Sequence, residues 1–178
     1  MLSSDHGRSR RFGARGFLFV LAATFGLAAC TVQPLYGPTA GGGRVQATLT
    51  RISVQPVNTR VGQQVRNEVI FQMTGGAAIS DPIYRMKLSV SSKEVGLGLT
   101  STDASPIYQI QVAATYEVTK VDTGESIVKH TARGTASYSR SNQAFANSRA
   151  KIDAEDRAAG VVAEAIAIRV AAAIARGS

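Results

Sequence analysis

Between Ile107 and Tyr138 the chain reads IYQIQVAATYEVTKVDTGESIVKHTARGTASY. From Ile107 to Val121, Tyr108, Ile110, Val112, Ala114, Tyr116 and Val118 alternate with Gln109, Gln111, Ala113, Thr115, Glu117 and Thr119. A period of two held this long predicts a strand with one packed and one polar face. Asp122-Thr123-Gly124 then predicts a tight turn with Gly124 at positive φ. A second strand follows from Ser126 to Tyr138, with Val128, Ala132, Ala136 and Tyr138 facing inward and Lys129, Thr131, Arg133 and Thr135 outward.

Asp122-Thr123-Gly124 also resembles the aspartic-protease signature. That chemistry needs two carboxylates sharing a proton, from a second such loop or a symmetric dimer. The chain has no second triplet, and the flanking strands account for this one as a hairpin turn.

Upstream, Asp81-Pro82 opens another alternating strand, in which Tyr84, Met86, Leu88 and Val90 oppose Arg85, Lys87, Ser89 and Ser91. The stretch Gly96 to Pro106 is a loop by its Gly, Ser and Thr content. Thr48 to Val57 reads as a first, half-buried strand, with Pro56 marking its end or an edge of the sheet. Next, Asn58 or Thr59 caps a helix over about residues 60–74, where Val61, Val65, Val69 and Met73 recur at i+4 and Gly75-Gly76 is the stop. Downstream, alanine-rich Phe145 to Arg176 predicts a long helix with Ile152, Ala159, Val162, Ile166, Val170 and Ile174 along one stripe. Its small side chains suit close packing on the sheet and would also admit a second helix or lipid.

The order strand, helix, three strands, helix predicts an α+β two-layer sandwich, with both helices on one face of a mostly antiparallel four-stranded sheet. A helix separates the first strand from its neighbour, so that pairing is open to a parallel crossover.

The N-terminus has another character. Arg8, Arg10, Arg11 and Arg15 precede the apolar run Phe17 to Leu27, and then comes Leu27-Ala28-Ala29-Cys30. This is the layout of a secretory signal, and the last four residues resemble a lipobox, in which the Cys is acylated after cleavage. The run has 11 residues and as a helix reaches about 16 Å, too short for a hydrocarbon core of roughly 30 Å. Ser9-Arg10-Arg11-Phe12 has a twin-arginine look, which leaves Sec or Tat export open. Residues 1–29 are read as signal peptide, 30–44 as a lipidated Pro- and Gly-rich tether, and 45–178 as one domain.

Cleavage removes four Arg and Asp5, leaving 149 residues with 16 Lys+Arg and 11 Asp+Glu, a net charge of +5. That bias is too mild for a nucleic-acid partner. Cys30 is the single cysteine, so its acylation leaves no thiol for disulfides, catalysis or metal binding. Gly41-Gly42-Gly43 lacks the Gly-Lys-Ser/Thr of a phosphate-binding loop. His130 is the only histidine of the mature part, and no Gly-x-Ser-x-Gly elbow is present. The expectation is a non-enzyme without metal or cofactor.

Cys30-Thr31-Val32-Gln33-Pro34-Leu35-Tyr36-Gly37, Gly62-Gln63-Gln64-Val65-Arg66-Asn67-Glu68, the element order and the Ala-rich last helix together resemble the alphaproteobacterial LPS-assembly lipoproteins of the LptE family. The resemblance covers nearly all of the mature chain. It implies a lipoprotein on the inner leaflet of the outer membrane that plugs the β-barrel LptD, supports its assembly, and with it delivers lipopolysaccharide to the outer leaflet. Thr31, rather than Asp, after the Cys agrees with outer-membrane sorting. The family binds lipopolysaccharide through basic residues, but no motif carries those positions over. Charge supplies candidates instead: Arg85, Lys87, Lys129 and Arg133 on the polar strand faces suit lipid A phosphates, against the plainer reading of solvated or barrel-facing charges. Two other classes remain open. One is an auxiliary lipoprotein of an envelope ABC transporter or lipid-trafficking system, and the other is an anchored hydrolase using Asp122 or His130.

Overall fold

The computed structural model describes residues 40–79, 81–97 and 107–177. The signal segment, Cys30 and the Thr31 to Gly37 head lie outside these residues, as does most of the 96–106 loop. The elements are α1 (Ala40–Leu49), β1 (Ile52–Val54), α2 (Arg60–Thr74), β2 (Tyr84–Gly96), β3 (Ile107–Lys120), β4 (Ser126–Ser139) and α3 (Ala144–Gly177). The sheet order is β1-β2-β3-β4. Strands β2, β3 and β4 form an antiparallel meander, and β1 pairs with β2 in parallel, Ile52 opposite Tyr84 and Val54 opposite Met86. The α+β architecture with a four-stranded sheet agrees with the sequence expectation.

The alternation fixes the sheet's two faces as expected. On the inner face Met86, Leu88, Ile110, Val112, Ala114, Tyr116, Val118, Ala132, Ala136 and Tyr138 are buried. Against them pack Val65, Val69 and Met73 of α2, and Ala159, Val162, Ile166, Val170 and Ile174 of α3, where Ile152 is half-buried. Close approach of α3 depends on Gly134: a Cβ there would stand 2.6 Å from the Ala158 carbonyl oxygen. The predicted turn forms with Gly124 at φ 70°, and one β-bulge lies between Val118 and Thr119.

Helix α2 begins where expected. The Thr59 hydroxyl accepts from the Gly62 amide at 3.1 Å, and Gly75 at φ 62° closes the other end. The Gly62-to-Glu68 motif acquires structural roles here. A side chain at position 62 would collide with Val57 and Thr59, Val65 enters the core, and Arg66 Nε donates to the Val54 carbonyl at 3.1 Å.

Two expectations at the start of the domain are corrected. The Gly triplet, read as part of an extended tether over 30–44, belongs to helix α1, which crosses the expected boundary at residue 45. Thr48 and Leu49, read as the opening of the first strand, close that helix, so β1 has 3 residues. The physical reason is tertiary. Val45 and Leu49, four apart, are both buried in the core, and Gln46 Nε2 donates to the Met73 carbonyl at 3.1 Å. Burial of Val45 and Leu49, at about 1.5–3 kcal/mol each, offsets the cost of three helical glycines at about 1 kcal/mol each.

Candidate functional site: the open face of the sheet

Both long helices lie on the inner face, so the odd-numbered side chains of β2, β3 and β4 form the opposite surface. Its rungs follow the register. Arg85 lies opposite Thr119, and Lys87, Glu117 and Lys129 form one row. Beyond it come Ser89-Thr115-Thr131, Ser91-Ala113-Arg133 and Lys93-Gln111-Thr135. Thr115 and Thr131 share a hydroxyl hydrogen bond of 2.9 Å, and Gln111 Nε2 donates to Gln109 Oε1 at 3.0 Å. The surface is polar over these rows, and at its far end Val95 and the exposed Ile107 make it apolar.

Arg85, Lys87, Lys129 and Arg133 are all exposed on this face, so the structure brings the four sequence candidates together. With strands about 4.8 Å apart, Lys87 and Lys129 stand roughly 10 Å from each other across β3, and Arg133 lies about 13 Å further along β4 than Lys129. Their environments differ. Lys129 Nζ is 3.6 Å from Glu117 Oε2, whereas Arg85, Lys87 and Arg133 have no ion pair among the described residues. Lys93 joins them, exposed and equally unpaired; the sequence reading followed the alternation only as far as Ser91, although the same parity reaches 93. Five cations and one carboxylate, Glu117, give this face a net charge of +4.

The sheet that carries the positive surface is fixed to the helices on its other side. At the far end of the meander Glu94 Oε1 accepts from Tyr138 Oη at 2.5 Å and from Arg140 Nη2 at 2.7 Å, and Oε2 accepts from Lys151 Nζ at 2.5 Å. The Arg140 guanidinium stacks 4.0 Å above the Tyr108 ring, which stacks on Tyr138 at 5.8 Å. The hydrogen bond from Lys151, then that from Tyr138, holds the Glu94 carboxyl below its ordinary range, and the same contact with Glu94 raises the Lys151 ammonium. These contacts tie the first turns of α3 to β2 and β4. Arg60 ties α2 to α3 through Glu155 and, at 3.0 Å, Asp156.

The residues considered for catalysis are not brought together. Asp122 sits in the β3–β4 turn, where its Oδ1 accepts from the Thr123 amide at 2.8 Å. His130 lies opposite Tyr116, edge-on to its ring at 6.5 Å, roughly 15–20 Å along the hairpin from the turn. Among the described residues no group of three or more His, Cys, Asp or Glu could hold a metal ion.

No family model matches the chain, and no curated protein matches it in sequence. Solved structures do resemble it. A chain of Caulobacter crescentus provisionally assigned as a lipoprotein matches at TM-score 0.65 and 19% identity, over 76% of this chain and 98% of that one. A minor lipoprotein of Acinetobacter baumannii matches at TM-score 0.55 and 13% identity, over 70% and 92%. Rare lipoprotein B of Shewanella oneidensis aligns over 71% and 92%, at 16% identity and TM-score 0.45. The first two share the fold of this chain, and that fold is one used by bacterial lipoproteins.

Proposed function

We propose that the chain is a non-catalytic outer-membrane lipoprotein, acylated at Cys30 and facing the periplasm. It plugs and supports the assembly of an LptD-type β-barrel, and the pair inserts lipopolysaccharide into the outer leaflet. The observation that carries this reading is the open sheet face, with Arg85, Lys87, Lys93 and Arg133 exposed on a largely polar surface and without an ion pair among the described residues. Lipid A phosphates are met there by charge-assisted hydrogen bonds. The neutral Ser, Thr and Gln rows between the cations suit a polar barrel lumen and sugar hydroxyls. The lipobox and the fold shared with lipoproteins support the anchor.

Two experiments test the reading. The acylated protein, captured from solubilised membranes, is expected to bring down a large outer-membrane barrel; recovery of inner-membrane ABC-transporter subunits instead would favour an auxiliary lipoprotein of a lipid-trafficking system. Replacing Lys87, Lys129 and Arg133 together with Glu is expected to abolish binding to purified lipopolysaccharide. Unchanged binding would remove those residues from the site.

A further inference from the structure

Helix α3 has an outer stripe that the sheet and α2 leave uncovered. Its N-terminal half is charged there, with Arg149 exposed and Arg157 Nε paired to Asp153 Oδ2 at 2.8 Å. Further along the stripe changes: Val161 and Ile168 are each 49% exposed, with Arg169 and Arg176 beside them and Glu164 the one carboxylate. The helix is long and apolar enough to cross a membrane, at a mean hydropathy of 1.9 over its most apolar window. Half of that window is buried, through residues such as Val162, Ile166 and Val170, so spanning would dismantle the core. The exposed half suits a position in the interface, with apolar side chains below the headgroups and arginines at the phosphates.

The covalent path limits where such a surface lies. Helix α1 packs against α3 and starts at Ala40, ten residues after Cys30, a link of at most about 36 Å when fully extended. The apolar part of α3 is itself about 20 Å long. Acyl chains on Cys30 therefore keep their membrane within reach of this helix.

We propose that, before a partner captures the domain, the stripe formed by Val161, Ile168, Arg169 and Arg176 docks on the anionic phospholipid surface of the leaflet that holds the anchor. The helix layer then lies on the membrane and the basic sheet face is turned away from it, free to meet an incoming partner. The inference rests on the anchor reading of the preceding subsection.

The chain contains no Trp, so one introduced residue reports its own depth. The acylated full chain carrying Ile168→Trp, and separately Val161→Trp, is reconstituted into vesicles of phosphatidylethanolamine and phosphatidylglycerol with plain or brominated acyl chains. Thr135→Trp, on the open sheet face, is the control. Several-fold stronger quenching by the brominated lipid at 168 and 161 than at 135 is expected, and in Arg169→Gln/Arg176→Gln the docking constant falls about five-fold per cation removed. Equal quenching at all three sites overturns the proposal. So does a blue-shifted, unquenched signal that grows with protein concentration, which identifies a second copy as the occupant. Intact mass reads acylation independently: a chain without acyl groups would sink the anchor, while its quenching by added vesicles still decides the docking face.

Discussion

Tyr116 is a hydrophobic anchor that carries a polar atom without a partner among the described residues. Its side chain, on β3, is buried in the core on the inner face, burial raises its phenol, and its hydroxyl has no hydrogen-bond partner among the described residues. Tyr116→Phe is expected to leave stability unchanged or raise it by up to about 1 kcal/mol, read from chemical denaturation. A loss above that range would mean the hydroxyl is satisfied in solution. Glu94 is the opposite case, since three donors converge on its carboxylate. Its folded-state pKa is lowered, so it adds stability above the ordinary carboxylate value, and the contribution is lost as pH falls through the folded value. Glu94→Gln is expected to cost about 1–3 kcal/mol at neutral pH, and its deficit should shrink below about pH 4. A deficit independent of pH would remove the charge from the explanation. Neither role was legible in the sequence, because each depends on neighbours brought in from other elements; the packed side of Tyr116 was legible, because parity alone sets it.

The three long strands and both long helices were readable to within a few residues, since each carries its own period and stop: Asp122-Thr123-Gly124 between strands, Gly75 after α2. Helix α1 was not. Its first residues have a linker's composition, and Thr48 to Val57 can be threaded as an alternating strand. What selects helix is the space between α2 and α3 that Val45 and Leu49 fill, and no local window contains it. Two substitutions separate helix from tether. Leu49→Ala is expected to cost about 2–5 kcal/mol. Gly43→Ala, whose new methyl group meets nothing within 4 Å, is expected to stabilise by about 0.5–1 kcal/mol. An effect near zero for both in thermal denaturation would return the segment to the linker class.

For the molecule as a whole, the division of labour between faces was legible and the electrostatics of the open face only in part. Alternation placed Arg85, Lys87, Lys129 and Arg133 on one surface. It did not show that Glu117 pairs with Lys129, because cross-strand partners depend on register, which the turn and the bulge at Val118/Thr119 set together. A surface unconnected to the core tolerates charge reversal. The Lys87→Glu/Lys129→Glu/Arg133→Glu protein is expected to unfold within about 1.5 kcal/mol of the parent, at about 0.5 kcal/mol per site. A larger loss, measured by denaturant titration, would make the face a structural element and compromise its use as a binding probe.

The parallel pairing of β1 with β2 also bears on the order in which the chain becomes native. The β3–β4 connection closes over a five-residue turn, and β4 leads directly into α3, so these contacts are local and cheap to form. β1 reaches Tyr84 only after α2 has folded back between them, a sequence separation of 32 residues. Under the anchored function proposed above, secretion would deliver the N-terminus first, with the acylated Cys already in its bilayer. The segment made and exported earliest is therefore expected to be among the last to find its place, with consolidation of the sheet running from the C-terminal half back toward the anchor.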